Sequence, residues 1–291
     1  MRDILQVCED SDWGESSDRA ATRGVEEVIE HGGILCFPNL RFELTADERR
    51  LLDAGVADGS AKNISLRGPN DEVRGAAAAH ADALRRMIQR YRTQATTLAE
   101  RLFPHYRGRL RPGNPSYRPV GIEGRETSWR KDDTRLHVDA FPSNPMHGQR
   151  LLRVFHNLNP RGQPRSWRVG EPFEDFARRF LPAIPRPLPG SAALLHALHI
   201  TKSRRSAYDH YMLQLHDRVK ADAAYQRDAP QQAIDFAPGT TWVVYSDQVL
   251  HAAMGGQFMM EQTFYLDPSD LQTPASAPLA VLQRLLDRPL L

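Results

Sequence analysis

Lysine is nearly missing from this 291-residue chain: it stands only at positions 62, 131, 202 and 220, and arginine supplies the rest of the 38 basic residues. The 36 acidic residues leave a formal net charge of +2, which gives no general case for a nucleic-acid partner. Arginine suits bidentate capture of carboxylate or phosphate, although GC-rich codon usage explains the same bias equally well. Cysteine is scarce too. Cys8 and Cys36 have no metal-ligand spacing and no framework partners, which points to a reducing compartment. No apolar run approaches the ~18 residues of a membrane span. The start, MRDILQVCEDSDWGESSD, carries early acidic residues instead of an apolar segment, so no signal peptide is expected. Missing as well are a Cys-pair zinc site, a phosphate-binding glycine loop and a G-x-S-x-G elbow. The expectation is a soluble, cytoplasmic protein.

What is present is enough apolar sequence, 41%, for a sizeable core. We expect one domain over 1–291, with a mainly helical part over 1–110, a β-core over 115–266 carrying helical insertions, and a C-terminal helix within 277–291. ATRGVEEVIEHGG reads as a helix stopped by a glycine pair, followed by a buried strand, ILCFPNL. FELTADERRLLDAG offers Thr45 as N-cap with Glu48 three residues on, a second helix reaching Gly55. Residues 72–103 form the strongest helical segment, with Leu84, Ile88, Tyr91, Ala95 and Leu98 on one face. The texture then changes to short segments punctuated by Pro and Gly, such as RLLRVFHNL, SAALLHAL, TTWVVYS and QFMMEQTFYL. These predict an antiparallel sandwich or barrel. EPFEDFARRFLP and SAYDHYMLQLHDRVKADAAY read as helical interruptions. The fold class is therefore α+β.

One stretch asks for chemistry. In RLHVDAF, strand geometry puts His137 and Asp139 on the same face about 6–7 Å apart, so that imidazole and carboxylate can converge on one ion. A second H-x-D triplet, His80 and Asp82, lies in the Ala-rich helical segment, where positions two apart point to nearly opposite sides. A third ligand is offered by His251, which opens a strand after TTWVVYSD. Two imidazoles and one carboxylate make the facial triad of non-haem Fe(II) oxygenases, with open positions for a 2-oxo acid and dioxygen. Gln262 shares the apolar face of Phe258, Met260, Phe264 and Leu266. A buried amide needs a partner; the carboxylate of a 2-oxo acid would serve, and so would a neighbouring backbone group. The other histidines read more plainly. His156 is a hydrogen-bonded core residue, and His196 and His199, three apart in an expected strand, face opposite sides. From spacing alone another metal-cupin activity, or a metal-bearing cupin without turnover, stays open.

The segments SWRKDDTRLHVDAFPSNPMHGQRLLRVFHNLNPRGQPRSWRVGEPFEDFARRFLP and FAPGTTWVVYSDQVLHAAMGGQFMMEQTFYL resemble the bacterial 3-deoxy-D-manno-oct-2-ulosonic acid (Kdo) hydroxylases. GGILCFPNLRFELTADERRLLD and KNIS near residue 62 agree, so the likeness covers most of the chain. The resemblance implies a double-stranded β-helix (jelly-roll, cupin-like) core with flanking helices. It implies a dioxygenase that uses Fe(II), 2-oxoglutarate and dioxygen to hydroxylate C3 of Kdo on lipid A precursors in lipopolysaccharide biosynthesis, at the cytoplasmic face of the inner membrane. It would place the metal on His137, Asp139 and His251. Many related oxygenases grip the 2-oxoglutarate tail with Arg or Lys about ten residues after the distal His. Here Gln262 stands in that place, so the cation is expected from Arg153, Arg150 or Arg118. Basic residues in WRKDD (Arg130, Lys131), PRSWR (Arg165, Arg168) and TKSRR (Lys202, Arg204, Arg205) are candidates to meet a carboxylated, phosphorylated lipid. The stripe Leu279, Leu282, Leu285 and Leu286 packs on the domain, makes a homo-oligomer contact or touches the membrane. A 2-oxoglutarate oxygenase acting on protein side chains remains the rival enzyme.

Overall fold

The strands of the described residues are β1 (Leu5–Val7), β2 (Ile34–Phe37), β3 (Ile64–Arg67), β4 (Glu72–Arg74), β5 (Arg111–Pro112), β6 (Ser116–Arg118), β7 (Arg150–Asn157), β8 (Arg165–Val169), β9 (Gln232–Phe236), β10 (Thr241–Tyr245), β11 (His251–Gly255) and β12 (Met259–Leu266). The helices are α1 (Val25–Glu30), α2 (Ala46–Arg49), α3 (Ala81–Leu102), α4 (Phe173–Phe180), α5 (Ser191–Ala197), α6 (Ala207–Ala221), α7 (Ala223–Asp228) and α8 (Pro278–Leu286). The computed structural model describes residues 4–14, 24–60, 63–122 and 127–291. Lys62 and the first residues of ATRGVEEVIEHGG lie outside them.

The larger sheet runs β1-β2-β10-β7-β12-β6-β3-β4, with β5 also on β12; the smaller runs β11-β8-β9. Alternation along β7 and β12 divides two apolar layers. Leu152 and Val154, with Met260, Phe264 and Leu266 beside them, pack under α3 against Leu84, Ile88, Tyr91, Ala95 and Leu98. Phe155 and Met259 point the other way, and with Trp242 of β10 they meet Trp167, Val169, Ile234 and Phe236 of the smaller sheet. Trp242 stacks on Phe236 with ring centroids 4.2 Å apart. Two sheets facing each other across aromatic packing, with helices outside, form the expected α+β jelly-roll core. A third layer sets the site. Leu136 and Val138 turn outward under α4, α6 and α8 with Leu250 and Ala252. The residues between and after them, His137 and Asp139, must then turn inward, between the sheets.

Several local expectations need correction. The segment 72–103 is α-helical only from Ala81, after a 3-10 turn at Ala78–His80. Glu72–Arg74 is a strand paired with β3, and Gly75, at φ 83°, breaks the chain between the two. The Thr45–Glu48 capping box forms, but α2 ends at Arg49 instead of reaching Gly55. SAALLHAL is not a strand. Its Ala and Leu are strong helix formers without β-branched competition, and it makes α5, in which no residue is buried. His196 is thus helical, and His199 follows at φ 54°. RLHVDAF contributes only an isolated bridge, His137 opposite His251. The leucine stripe of α8 packs inward: Leu282 is fully buried, with Leu279, Leu285 and Leu286 against the same cluster.

Candidate metal centre

The bridge between His137 and His251 places the first two ligands. The backbone N–H of each donates to the carbonyl of the other, at 2.9 and 2.8 Å. This brings the two rings side by side, 4.7 Å between centroids. Asp139 is held by its own N–H donating to Ser246 O at 2.9 Å. Nδ1 of His137 lies 2.7 Å from Arg135 O and Nδ1 of His251 lies 2.8 Å from Val249 O. A carbonyl only accepts, so both rings carry their proton on Nδ1, and Nε2 is the nitrogen left to bind a metal. The ligand atoms of His137, Asp139 and His251 lie within 4.8 Å of one another.

Protonation favours the same use. Burial, and next the neighbouring His251, keeps the His137 imidazole well below its usual pKa. Burial likewise lowers that of His251. Burial opposes the charge on Asp139, but Arg153 and the two imidazoles outweigh it and hold its carboxyl well below the usual range. At neutral pH the set is two lone-pair nitrogens and one carboxylate, all deprotonated as a metal requires. Trp167 stacks on His251 at 4.9 Å, and His216 meets His137 edge-on at 5.5 Å, so the rings are fixed before any ion arrives.

A charge network backs the triad. Arg153 reaches Asp139 Oδ2 and Glu261 Oε1, both at 3.2 Å, and Arg118 pairs with the other oxygen of Glu261 at 2.5 Å. Burial raises the Glu261 carboxyl, yet Arg153 and Arg118 together keep it below its ordinary value. Beside the ion-paired Asp139 carboxylate, two buried guanidinium nitrogens have no hydrogen-bond partner, Arg153 Nε and Arg118 Nε. Unpaired buried groups are rare in proteins, and their clustering beside three convergent ligands fits a site shaped for an ion and an anionic companion.

The remaining predicted contacts fall elsewhere. Arg150 stands three residues from Arg153 on β7 and so points to the opposite face. It is fully buried, donates to Asp247 at 2.7 Å and Gln248 at 2.6 Å, and lies over the Tyr245 ring. It is a structural cation and not a cofactor contact. Gln262 also faces away, toward the α3 layer, pairing across the sheet with Val154. Its amide NH2 donates to Gly113 O and Thr263 O, so both of its donors are taken by backbone, while its buried Oε1 has no hydrogen-bond partner. Of the lipid-facing candidates, Arg165 donates to Gly256 O and Arg168 to Thr134 O, ties within the fold. The sequence reading passed over Glu261, although the alternation that put Gln262 on the apolar face necessarily put Glu261 on the other. Trp167 and His216 gave no local signal, since only the tertiary fold brings them to the histidines.

The family model for 3-deoxy-D-manno-oct-2-ulosonic acid (Kdo) hydroxylase matches residues 12–289. A solved structure of the Kdo hydroxylase KdoO, a non-haem Fe(II) alpha-ketoglutarate-dependent dioxygenase in complex with cobalt(II), is 44% identical, with TM-score 0.95 over 99% of this chain and 97% of that one. The same hydroxylase with alpha-ketoglutarate and Fe(III) is 42% identical, TM-score 0.94, with the same coverage of 99% and 97%. Its complex with succinate and Fe(III) is 42% identical, TM-score 0.93, over 99% and 97%. No protein with a curated description matches. Matched along nearly its whole length, with two histidines and an aspartate converging between its sheets, the chain belongs to the Kdo hydroxylase family of Fe(II)/2-oxoglutarate-dependent dioxygenases.

Proposed function

We propose that this protein hydroxylates C3 of Kdo on a lipid A precursor, holding Fe(II) with His137, Asp139 and His251. The observation that carries the reading is the pre-set triad: two Nδ1-anchored imidazoles and an ionised carboxylate with their ligand atoms mutually within 4.8 Å. When bound, iron with 2-oxoglutarate and dioxygen supplies the oxidising power to insert one oxygen into a C–H bond, the 2-oxoglutarate leaving as succinate and carbon dioxide. The protein's own part is electrostatic and geometric. Arg118 and Arg153 carry two positive charges against the two negative charges of Asp139 and Glu261, so the side chains alone are balanced. A divalent cation leaves an excess that a dicarboxylate dianion such as 2-oxoglutarate neutralises. Binding of metal and co-substrate is therefore mutually reinforcing in a site with little water to screen either.

Arg153 and Arg118 are the arginines proposed to meet the co-substrate, because both lie on the sheet face of the triad and each retains a buried Nε without a partner. Trp167 and the flanking aromatic layer keep the space beside His251 dry. Among the described residues no helix is long and apolar enough to cross a membrane, and the substrate would be met from the cytoplasmic side of the inner membrane. The test is mass spectrometry of a Kdo-bearing lipid A precursor after incubation with the protein, Fe(II) and 2-oxoglutarate. One added oxygen on Kdo is expected with wild type and none with Asp139→Ala. Succinate release stimulated by peptides, and not by the Kdo lipid, would overturn the reading.

A further inference from the structure

Residues 185–205, RPLPGSAALLHALHITKSRR after Pro185, leave the fold as a projecting excursion built around α5. Leu188, Leu194, Leu198 and Ile200 are 76, 60, 60 and 51% exposed, and no residue of α5 is buried. The other large exposed apolar side chains, Val7, Met254 and Leu291, are scattered singly. Clustered exposure of this kind marks a contact surface, whereas single apolar residues do not. The backbone is shaped for the projection. Gly190 enters α5 at φ 79° and His199 leaves it at φ 54°, so the chain turns sharply on both sides of the helix.

Charge identifies what the surface meets. Between Asp175 and Asp209 the chain contains no acidic residue. Arg186, Lys202 and Arg204 stand exposed around the apolar tip, with His196 and His199 beside it. Two copies of the chain joined through this patch on a two-fold axis would set like charge against like charge, with no carboxylate in the segment to pair it. An anionic bilayer offers the reverse: hydrocarbon for the leucines and negative headgroups for the collar. We propose that this excursion is a membrane-docking element that inserts Leu188, Leu194, Leu198 and Ile200 into an anionic lipid surface.

The base of the excursion is stitched to the chain just past Asp139. Lys202 N donates to Ser143 O at 2.9 Å, Arg205 donates to Pro142 O, and His147 bonds Ser203. Asp209 fastens the same loop from the start of α6, accepting from the N–H groups of Met146 and His147 at 2.6 and 3.0 Å. Docking would thus set the orientation of the segment that carries a metal ligand relative to the lipid plane. This use in catalysis rests on the Kdo-lipid reading above, whereas the vesicle binding itself does not.

The experiment is vesicle flotation of the full chain with phosphatidylethanolamine–phosphatidylglycerol vesicles and with phosphatidylcholine vesicles. Wild type should float with the anionic set. Leu194→Glu/Leu198→Glu should partition about a hundredfold more weakly, roughly tenfold for each leucine withdrawn from the interface. Arg186→Gln/Lys202→Gln/Arg204→Gln should lose about fivefold per cation on anionic vesicles and change little on phosphatidylcholine. Leu194 and Leu198 are exposed positions outside the metal centre, and turnover of a water-soluble Kdo acceptor by the leucine variant should match wild type. The proposal falls if wild type does not float. It falls also if the leucine variant floats equally well, or if light scattering shows that variant dissociating an oligomer while vesicle binding is unchanged. If vesicles bind but no Kdo acceptor is turned over, the docking element stands and the functional reading fails.

Discussion

Arg150→Met separates the two arginines of β7. In the native protein the Arg150 guanidinium is fully buried, ion-paired with Asp247 at 2.7 Å, bonded to Gln248 at 2.6 Å and centred 3.9 Å above the Tyr245 ring. Asp247 is itself buried and also accepts from Leu151 N at 3.1 Å. Removing only the cation leaves a carboxylate in a dry environment, which costs about 3–5 kcal/mol. For a chain of this size that lowers Tm by about 5–8 °C, readable by circular dichroism. Because the cost is an uncompensated charge and not lost packing, Arg150→Met/Asp247→Asn should recover most of it; the amide keeps an acceptor for Leu151 N. At 20 °C, where the single variant remains folded, its KM for 2-oxoglutarate should stay within about twofold of wild type, since Arg150 lies on the face away from the triad. A Tm unchanged within about 2 °C would refute the buried-charge reasoning. A folded variant with a KM raised about tenfold or more would return Arg150 to the co-substrate site.

Arg153→Met should behave in the opposite sense, raising the KM or Kd for 2-oxoglutarate about tenfold to a hundredfold, the worth of one charge-assisted hydrogen bond; calorimetric titration checks it. Trp167, stacked 4.9 Å from His251, should report metal binding through quenching of its fluorescence by Co(II), and Trp167→Phe should lose that quenching. His156 provides an acid limb. Thr241 Oγ1 donates to Leu40 O and so accepts from Nδ1 of His156, whose Nε2 accepts from Phe42 N. The ring is therefore held neutral, and burial pushes its pKa down to about 3. Between that value and the ordinary imidazole range the unfolded chain binds a proton that the folded chain refuses. Stability thus falls as pH drops through this window, by about 3 kcal/mol from pH 7 to pH 4. Denaturant titrations should show the slope, and His156→Gln should flatten it.

Patterns that depend on one element were legible in the chain. The helical face of Leu84, Ile88, Tyr91, Ala95 and Leu98 is fully buried, and His251 does open a strand. Gly75 shows why the start of α3 was misplaced: Ala-rich residues after it carry helical propensity, but Glu72–Arg74 before it pairs with β3, a non-local choice invisible in the segment. His137 and Asp139 come together on one side through the outward packing of Leu136 and Val138 against α4, α6 and α8, although the segment is not a strand of either sheet. The choice among arginines could not be read without the register. Only once β7 is aligned with β10 and β12 does Arg153 fall beside Glu261 and Arg150 beside Tyr245. Gln262 carried a real signal of burial, yet burial alone does not say which layer receives the side chain.

The most direct measurement is anomalous diffraction at the cobalt edge from crystals grown with Co(II), on wild type and on Asp139→Ala. The account predicts one strong peak in wild type in contact with Nε2 of His137, Nε2 of His251 and the Asp139 carboxylate, and its loss or marked weakening in the variant. A peak elsewhere, or one equally strong without Asp139, would contradict it.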